Sequence, residues 1–467
     1  QGPLRRTQAG MGALPAEELV LTMAITLGLV EAIDSNGVYV SMPGSRGVLR
    51  GPYKSLSTVA AGTTVLVAST DDGEQVVVGP SPGGDGVVNA ASFGATGDGV
   101  TDDAAALQSA VTATAGVATL RLDPGTYLLG DDLSLPSGTR LVGYGATLKA
   151  SAGARHRLIT CVDTDGVLIQ GLALDLNKAN VTAPGSPYST DAAGIVLDGT
   201  LVGITNTTLR DVTVADGHQH GVFGTAGSGL QLQVTLDNVS VTGCHLGAYF
   251  YRGTLVQVFG GDYSTNEQDG LYLDAGSGHR IRGVRACTND RHGIVFDSAA
   301  HSFSAHGCHC DGNGTGVGEG MGIVTSVNTH HWSLTGNVCR DNKTSGIQID
   351  PNNGTSTQVA AYGTVTGNVC SGSTAYHGIY VTYARYVTVT GNVCEDNANS
   401  GIMASCAQAT IVGNQLVGND VGVCLSYDGL STPSMGTHVV GPNLYAGNTT
   451  DDLYEQAGVA TSRLLDP

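Results

Sequence analysis

The sequence predicts an all-β protein: a right-handed, single-stranded parallel β-helix preceded by a small OB-like β-barrel module. Three observations support this fold class. Glycine accounts for 69 of the 467 residues, roughly twice its usual share of about 7%. Charged residues make up only 13% and hydrophobic residues 41%, which excludes a disordered polyelectrolyte. A sequence unit of roughly 23 residues recurs along the chain, as it does in repeat architectures.

The repeat is defined by its glycines. The intervals from Gly367 to Gly391 and from Gly391 to Gly413 are 24 and 22 residues, and other copies carry insertions. Three copies open with the run Gly-Asn-Val-Cys, the first at Gly336. Short alternating strands with Asn and Gly at the turns predict one coil of a parallel β-helix per copy. A leucine-rich repeat is excluded, because no helical segment recurs and the asparagine lies outside an L-x-x-L-x-L frame.

The remaining elements follow from turn and helix signals. Two hairpin turns, at residues 34–37 and 71–73, predict the barrel module. A helix is predicted over residues 100–112, with Thr101 as its N-cap and Leu107, Ala110 and Val111 on one face. This helix would cover the first open edge of the strand array. The predicted segments are a tail at 1–19, the barrel at 20–80, a linker at 81–92, the β-helix with its capping helix at 93–455 and a tail at 456–467.

The cysteines are predicted to be reduced core residues. Cys339, Cys370 and Cys394 occupy the same position of three repeats, so stacked coils place them in an inward ladder about 4.8 Å apart. Disulfides and a metal site remain alternatives. Cys308 and Cys310, together with His306 and His309, have a metal-like spacing, but C-x-C alone is a weak signal.

Two short segments resemble a known family. Residues 93–103 read Phe-Gly-Ala-Thr-Gly-Asp-Gly-Val-Thr-Asp-Asp, and residues 122–127 read Leu-Asp-Pro-Gly-Thr-Tyr. This pattern is similar to the opening of the pectate-lyase-like β-helix superfamily, and most like bacteriophage tailspike or tail-fibre depolymerases. The resemblance implies binding of a bacterial surface polysaccharide, attachment to phage baseplate or tail proteins through the N-terminal module, a homotrimer and a location in the virion tail. The motif series of polygalacturonases is absent.

Charge limits the partners. The formal net charge of −19 argues against nucleic acid and anionic membranes, and favours a neutral or weakly acidic glycan. No apolar run reaches the length of a membrane span, and no signal peptide is visible in the first residues. We therefore predict neither nucleic-acid binding nor membrane insertion. No cofactor and no metal ligand are predicted, although a structural or substrate-bridging cation such as calcium remains an alternative.

One outer face of the predicted β-helix gathers aromatic and acidic residues. Counted from the second glycine of each coil, positions +2 and +4 alternate outward, and two consecutive coils carry most of the charged groups there. The predicted catalytic residues are Asp274, Asp297, Asp269, Glu267 and His292. The predicted substrate-binding residues are Tyr249, Tyr251, Tyr272, Asp290, Arg291, Arg280 and Arg282. A second aromatic patch is predicted from Tyr376, Tyr380, Tyr383 and Tyr386 with Arg385.

The chemistry of this cluster has several interpretations. Alignment of the two coils pairs Asp274 with Asp297, Asp269 with His292 and Glu267 with Asp290. Paired carboxyl groups suit glycoside hydrolysis, about 5–5.5 Å apart in retaining enzymes and about 6.5–9.5 Å in inverting ones. Arginine and histidine near the cluster suit β-elimination by a secreted polysaccharide lyase. A non-catalytic receptor-binding spike, or carboxylates that only cap turns, also fit. The insertion within residues 172–194 is expected to form a wall of the groove or to contact a neighbour.

Overall fold

The computed structural model describes residues 24–34, 37–41, 49–55, 64–69, 75–80, 86–153, 157–186, 190–351, 359–405, 408–426, 438–456 and 461–463. The chain divides into two compact units, Gln1–Asp85 and Gly86–Pro467. Among the described residues, no helix has the length and apolar character needed to cross a membrane.

The first unit is a closed barrel of five strands, in the spatial order first, second, third, fifth, fourth. Its strands are Ala24–Asp34, Gly37–Ser41, Leu49–Ser55, Thr64–Ser69 and Gln75–Pro80. The first and second strands pair antiparallel, as do the fourth and fifth. The two predicted strand pairs are therefore present, whereas most of their connecting residues lie outside the described part. The OB-like assignment stays a prediction.

The second unit is a parallel β-helix whose coils stack strand on strand. Sheet 1 is 13-stranded, and each strand pairs in parallel with the equivalent strand of the next coil. Its strands are Leu133–Ser134, Ile159–Val162, Ile195–Gly199, His220–Ala226, Leu246–Tyr251, Leu271–Asp274, Ile294–Asp297, Met321–Thr325, Ser345–Ile349, Ile379–Thr382, Ser400–Ser405, Val421–Leu425 and Asp451–Glu455. This arrangement confirms the predicted fold.

Two further sheets complete the coils. The strands of sheet 2 are Val87–Asn89, Asp98–Asp102, Thr119–Arg121, Gly125–Leu129, Arg140–Ala150, Leu168–Asp175, Ile204–Arg210, Thr213–Ala215, Leu232–Asp237, Ser240–Thr242, Gln257–Phe259, Arg280–Arg282, His301–His306, His330–Thr335, Val359–Thr366, Ala384–Thr390, Ala409–Val412, His438–Val440 and Thr461–Arg463. The strands of sheet 3 are Val338–Arg340, Val369–Ser371, Val393–Glu395, Gln415–Val417 and Leu444–Ala446. Strands also occur inside the predicted linker 81–92 and the predicted tail 456–467.

The helix begins later than the sequence predicts. A 3₁₀ turn spans Ala90–Phe93, and the α-helix spans Ala104–Thr114. The hydroxyl of Thr101 donates to Asp98 and therefore does not cap the helix, whereas Asp102 accepts from the backbone N–H of Ala104 at 3.0 Å. The predicted apolar face is correct, because Leu107, Ala110 and Val111 are fully buried.

Alternation along each strand builds the core. In sheet 1, Leu271 pairs with Ile294 and Leu273 with Phe296, and all four side chains are buried. Their neighbours at even positions therefore point outward. This alternation determines which residues of sheet 1 are available for function.

Columns of asparagine cross the interior at the turns. Asn337, Asn368, Asn392 and Asn414 are buried on successive coils. Each side-chain amide of the first three donates to the carboxamide oxygen of the next coil, at 2.9–3.0 Å. The same oxygen accepts the backbone N–H of the coil below at 2.9 Å. Because buried polar groups need partners, this column holds the register of the coils.

The inward cysteine ladder is confirmed. Cys339 pairs with Cys370 and Cys370 with Cys394, and all three are buried and free. Burial raises the pKa of the Cys370 thiol well above its ordinary value. Cys308 and Cys310 are also buried, whereas the side chains of His306 and His309 are exposed, so these four do not converge. Within the described ranges, no group of three or more metal-ligating side chains is close enough to hold an ion.

Replacing Cys370 by Ser is expected to lower the free energy of unfolding by about 1–3 kcal/mol, because it puts a hydroxyl in an apolar column. Denaturant unfolding measures this loss. Cys424, which is half-buried and outside the ladder, is the control, and Cys424→Ser should have a smaller effect. Equal losses in the two variants, or fast thiol labelling of native Cys370, would contradict an inward ladder.

Candidate functional site

The acidic and aromatic residues occupy adjacent outward columns of sheet 1. In the first column, Tyr249 pairs with Tyr272. In the second, Tyr251 pairs with Asp274 and Asp274 with Asp297. The predicted vertical register of the two aspartates is therefore confirmed. Their backbones lie one strand spacing apart, about 4.8 Å.

Each aspartate of the pair is held by the tyrosine of the strand below it. The Tyr249 hydroxyl donates to Asp274 Oδ2 at 2.8 Å, and the Tyr272 hydroxyl donates to Asp297 Oδ2. Burial raises the pKa of both phenols, and the aspartate partners raise it further. Both tyrosines are therefore protonated donors at neutral pH. Their rings meet edge to face, with centroids 5.2 Å apart.

The second oxygen differs between the two aspartates. Asp297 Oδ1 accepts the backbone N–H of Ser298 at 2.7 Å. Asp274 Oδ1 is buried and has no hydrogen-bond partner among the described residues. A buried oxygen without a donor has lost the hydrogen bonds that water would provide. The two neighbouring carboxyl groups thus have different environments.

Asp269 and His292 lie beneath this surface, with exposed fractions of only 1% and 3%. Asp269 Oδ1 accepts the backbone N–H of His292 at 3.0 Å, and Oδ2 lies 3.4 Å from Arg291 Nη1. The Nδ1 atom of His292 accepts the backbone N–H of Met321 at 3.2 Å. Burial and, to a smaller extent, the charge of Arg291 lower the pKa of His292 to about 3, so the ring is neutral. Both residues therefore shape the site from below instead of facing a substrate.

Asp269 should make stability depend on pH. Burial raises its pKa to about 6 from an ordinary 3.8, Asp297 adds to the increase, and Arg291 and the His292 N–H oppose it. The folded state therefore binds this proton more tightly than the unfolded chain does. The stability contributed by Asp269 is present below pH 3.8 and is lost as the pH rises through 6.

The Asp269→Asn variant lacks this titration. The difference in melting temperature, variant minus wild type, is expected to increase from pH 4 to pH 6 and to level off above it. Thermal unfolding across this range measures the difference. A constant difference would show that Asp269 titrates as an ordinary exposed carboxyl group.

Glu267 forms the side of the site together with the insertion. Lys178, from the predicted insertion, donates to Glu267 Oε1, and His245 Nδ1 lies 3.5 Å from Glu267 Oε2. Burial alone would raise the pKa of Glu267, but the hydrogen bond and charge of Lys178, aided by His245, lower it. Lys178 and His245 were absent from the predicted site. No repeat spacing indicates Lys178, because it lies 89 residues before Glu267 in the chain.

Arg280 and Arg282 do not join the cluster. They are exposed on a strand of sheet 2, paired with Gln257–Phe259 and His301–His306, whereas the aspartate pair is on sheet 1. The prediction treated consecutive strands of one coil as neighbours on one face, although the chain turns a corner between them.

The other predicted residues make contacts outside the aspartate pair. Asp290 is exposed and accepts from the Thr315 hydroxyl. The Tyr251 ring lies beneath Arg252, with the guanidinium carbon 4.8 Å from the ring centroid. The second predicted patch is not one patch, because Tyr380 lies on sheet 1 and Tyr386 on sheet 2. Val295, Met321 and Val324 form a small buried apolar cluster against Tyr272.

Three protein-family models match parts of the second unit. Residues 87–255 match "Rhamnogalacturonase A/epimerase, pectate lyase-like", residues 193–360 match "Right handed beta helix region", and residues 324–432 match "Periplasmic copper-binding protein (NosD)". The first two agree with the stacked parallel coils. The second unit is a right-handed parallel β-helix, and residues 87–255 of it resemble pectate-lyase-like proteins.

Solved structures share the fold of this β-helix protein. A mannuronan C-5 epimerase A-module from Azotobacter vinelandii is 20% identical, covering 81% of this chain and 100% of that one, with a TM-score of 0.55. A periplasmic alginate epimerase is 15% identical, covering 87% and 86%, with a TM-score of 0.55. The Dettilon tailspike protein is 14% identical, covering 79% and 68%, with a TM-score of 0.52. At these identities, the likeness shows the fold alone.

One curated relative matches over a short segment. A non-secreted LysM effector from Penicillium expansum is 36% identical over 74 residues, which is 16% of the β-helix protein and 6% of the relative. The chain therefore spans only a small part of that relative.

Proposed function

We propose that the β-helix protein binds a bacterial surface polysaccharide along the outer face of sheet 1 and hydrolyses it at Asp274 and Asp297. The observation that carries this proposal is the pair itself. Two half-buried carboxyl groups lie in register on adjacent strands, and each is held by a tyrosine hydroxyl. Two carboxyl groups in adjacent positions are the catalytic requirement of most glycoside hydrolases.

The hydrogen bonds support a division of roles. Asp297, with both oxygens accepting hydrogen bonds, is assigned the role of base or nucleophile. Asp274, whose Oδ1 accepts no hydrogen bond from the described residues, is assigned the role of general acid.

The reaction then needs only water as co-reactant. Asp274 donates its proton to the glycosidic oxygen as the bond to the anomeric carbon breaks. Water supplies the new hydroxyl on that carbon, either directly with Asp297 as base or after a covalent intermediate on Asp297. The first route inverts and the second retains the anomeric configuration, and both restore the proton to the carboxyl pair.

The surrounding residues favour hydrolysis over β-elimination. A lyase needs a base at the substrate and a cation on the uronate carboxyl group. Of the predicted candidates for these roles, His292 is buried, Arg280 and Arg282 lie on sheet 2, and Arg291 is paired with Asp269. Tyrosine rings beside the aspartates suit the apolar faces of sugar rings.

The proposal extends to a tailspike-like depolymerase. The five-stranded barrel of the first unit would attach to phage baseplate or tail proteins, and the β-helix unit would assemble as a homotrimer at the virion tail. The tailspike fold relationship supports this form of the proposal. Light scattering of the purified chain tests the trimer directly.

The test is incubation with capsular and O-antigen polysaccharides from bacteria, followed by mass analysis and a reducing-end assay. Fragments with new reducing ends and no ultraviolet absorbance of an unsaturated uronate are expected. Unsaturated products would show that the reaction is β-elimination and not hydrolysis. Binding of the polysaccharide without any fragments would indicate a receptor-binding spike. A parallel incubation with a chelator determines whether calcium or another divalent cation takes part.

A further inference from the structure

The outer face of sheet 2 carries a column of stacked aromatic rings. His331, Tyr362 and Tyr386 occupy equivalent positions on three successive strands. The ring centroids are 5.1 Å apart between His331 and Tyr362, and 4.9 Å apart between Tyr362 and Tyr386, with near-parallel planes. Tyr362 is 50% exposed and Tyr386 is 48% exposed. Large exposed rings stacked over several coils need an explanation, because solvent favours polar residues there.

The backbone of this column is unfavourable for such residues. The φ angles are 56° at His331, 45° at Tyr362 and 59° at Tyr386, in the left-handed region that bulky side chains rarely adopt. Ser302, one strand earlier in the same column, has φ 56°. The left-handed φ is therefore a general feature of this position in the coil. The aromatic rings are an additional feature of three consecutive coils.

The column ends at Tyr386, beside a cavity. On the next strand, Gln408 takes the position that Tyr386 occupies. Each face of the Tyr362 ring is covered by a neighbouring ring, whereas Tyr386 is the last ring of the stack. It borders a cavity of about 330 Å³ that Thr388, Gln408, Thr410 and Val439 also line. This volume is at the lower end of the roughly 300–1,000 Å³ range of ligand pockets.

The lining indicates the class of ligand. Thr388 and Thr410 are paired on adjacent strands and, with Gln408, offer hydroxyl and amide groups, and no lining residue is charged. A terminal aromatic face combined with neutral hydrogen-bonding groups matches a pyranose ring, which has an apolar face and peripheral hydroxyls.

We propose that this cavity binds one neutral sugar residue of the polysaccharide, stacked on Tyr386. The site lies on sheet 2 and is separate from the aspartate pair on sheet 1. The choice of a polysaccharide rests on the proposed function. This cavity keeps the protein bound to the polysaccharide and takes no part in bond cleavage.

The test measures binding of an Asp297→Asn parent to immobilised capsular and O-antigen polysaccharides from bacteria. Adding Tyr386→Asn is expected to weaken binding about tenfold, which is the loss of one aromatic stacking contact. Asparagine tolerates a left-handed φ, so the melting temperature should not fall. Tyr386→Phe keeps the ring face and should leave binding unchanged.

Leu255→Asn is the matched control. Leu255 is 42% exposed at φ 60°, and it lies several coils from the cavity. The Leu255→Asn substitution should leave binding unchanged. Equal binding by the parent and the Tyr386→Asn variant overturns the inference, as does a parent that binds no polysaccharide on the panel. Cleavage by the wild-type chain is scored separately, so Tyr386-dependent binding without reducing-end release supports this site and refutes the hydrolase.

Discussion

Replacing Asp297 by Asn is expected to lower the rate of polysaccharide cleavage by about 10³-fold or more, while binding persists. Asparagine has nearly the same size and can still accept the Tyr272 hydroxyl, which now bonds to Asp297 Oδ2. It cannot act as a base or as a nucleophile at the anomeric carbon. Reducing-end release measures the rate, and retention on immobilised polysaccharide measures binding.

Asp274→Asn should show a different dependence on the leaving group. The loss of a general acid slows cleavage of a sugar leaving group strongly, but only weakly that of an activated aryl glycoside, which leaves without a proton. Asp237→Asn is the control, because Asp237 is paired with Arg210 on sheet 2, outside the proposed machinery. Full activity of both the Asp274 and Asp297 variants would remove this pair from the reaction.

Asn392→Ala is expected to lower the free energy of unfolding by about 2–5 kcal/mol. The Asn392 carboxamide oxygen accepts both the backbone N–H and the side chain of Asn368, and its amide donates to Val365 and Asn414. Alanine leaves the buried Asn368 N–H without its partner and removes a donor from Val365. Each unsatisfied buried group costs about 1–3 kcal/mol.

Urea unfolding measures the loss, with Asn180→Ala as the control. Asn180 is exposed and bonds only locally to Asn177 through its side chain, so its loss should stay within about 0.5 kcal/mol. If Asn392→Ala and Asn180→Ala are equally stable, the asparagine columns do not hold the coils in register.

The fold was predictable because the repeat places the same residue type at the same point of each coil. The Gly-Asn-Val-Cys runs indicated the turn, the buried cysteine and the stacking direction together. The first residue of the helix was harder to predict, because the Thr101 hydroxyl donates a hydrogen bond to Asp98. That contact competes with capping and is decided by local geometry that composition does not reveal.

The site was predictable only along the stacking direction. Register between coils correctly brought Asp274 over Asp297, because both occupy the fourth position after the coil glycine. It was harder to predict which residues of one coil share a face, as the position of Arg280 on another sheet shows. Lys178 illustrates a third limit, since an insertion follows no repeat and reaches Glu267 only through the folded geometry.

The stacking of equivalent coils also bears on how this protein can change over evolution. Each coil contacts mainly the one before and the one after it, so stability is approximately a sum over neighbours. Duplication of a single 22–24-residue copy would extend every sheet by one strand while preserving the asparagine and cysteine columns. The length of the outer face of sheet 1 can therefore increase in unit steps, without redesign of the interior.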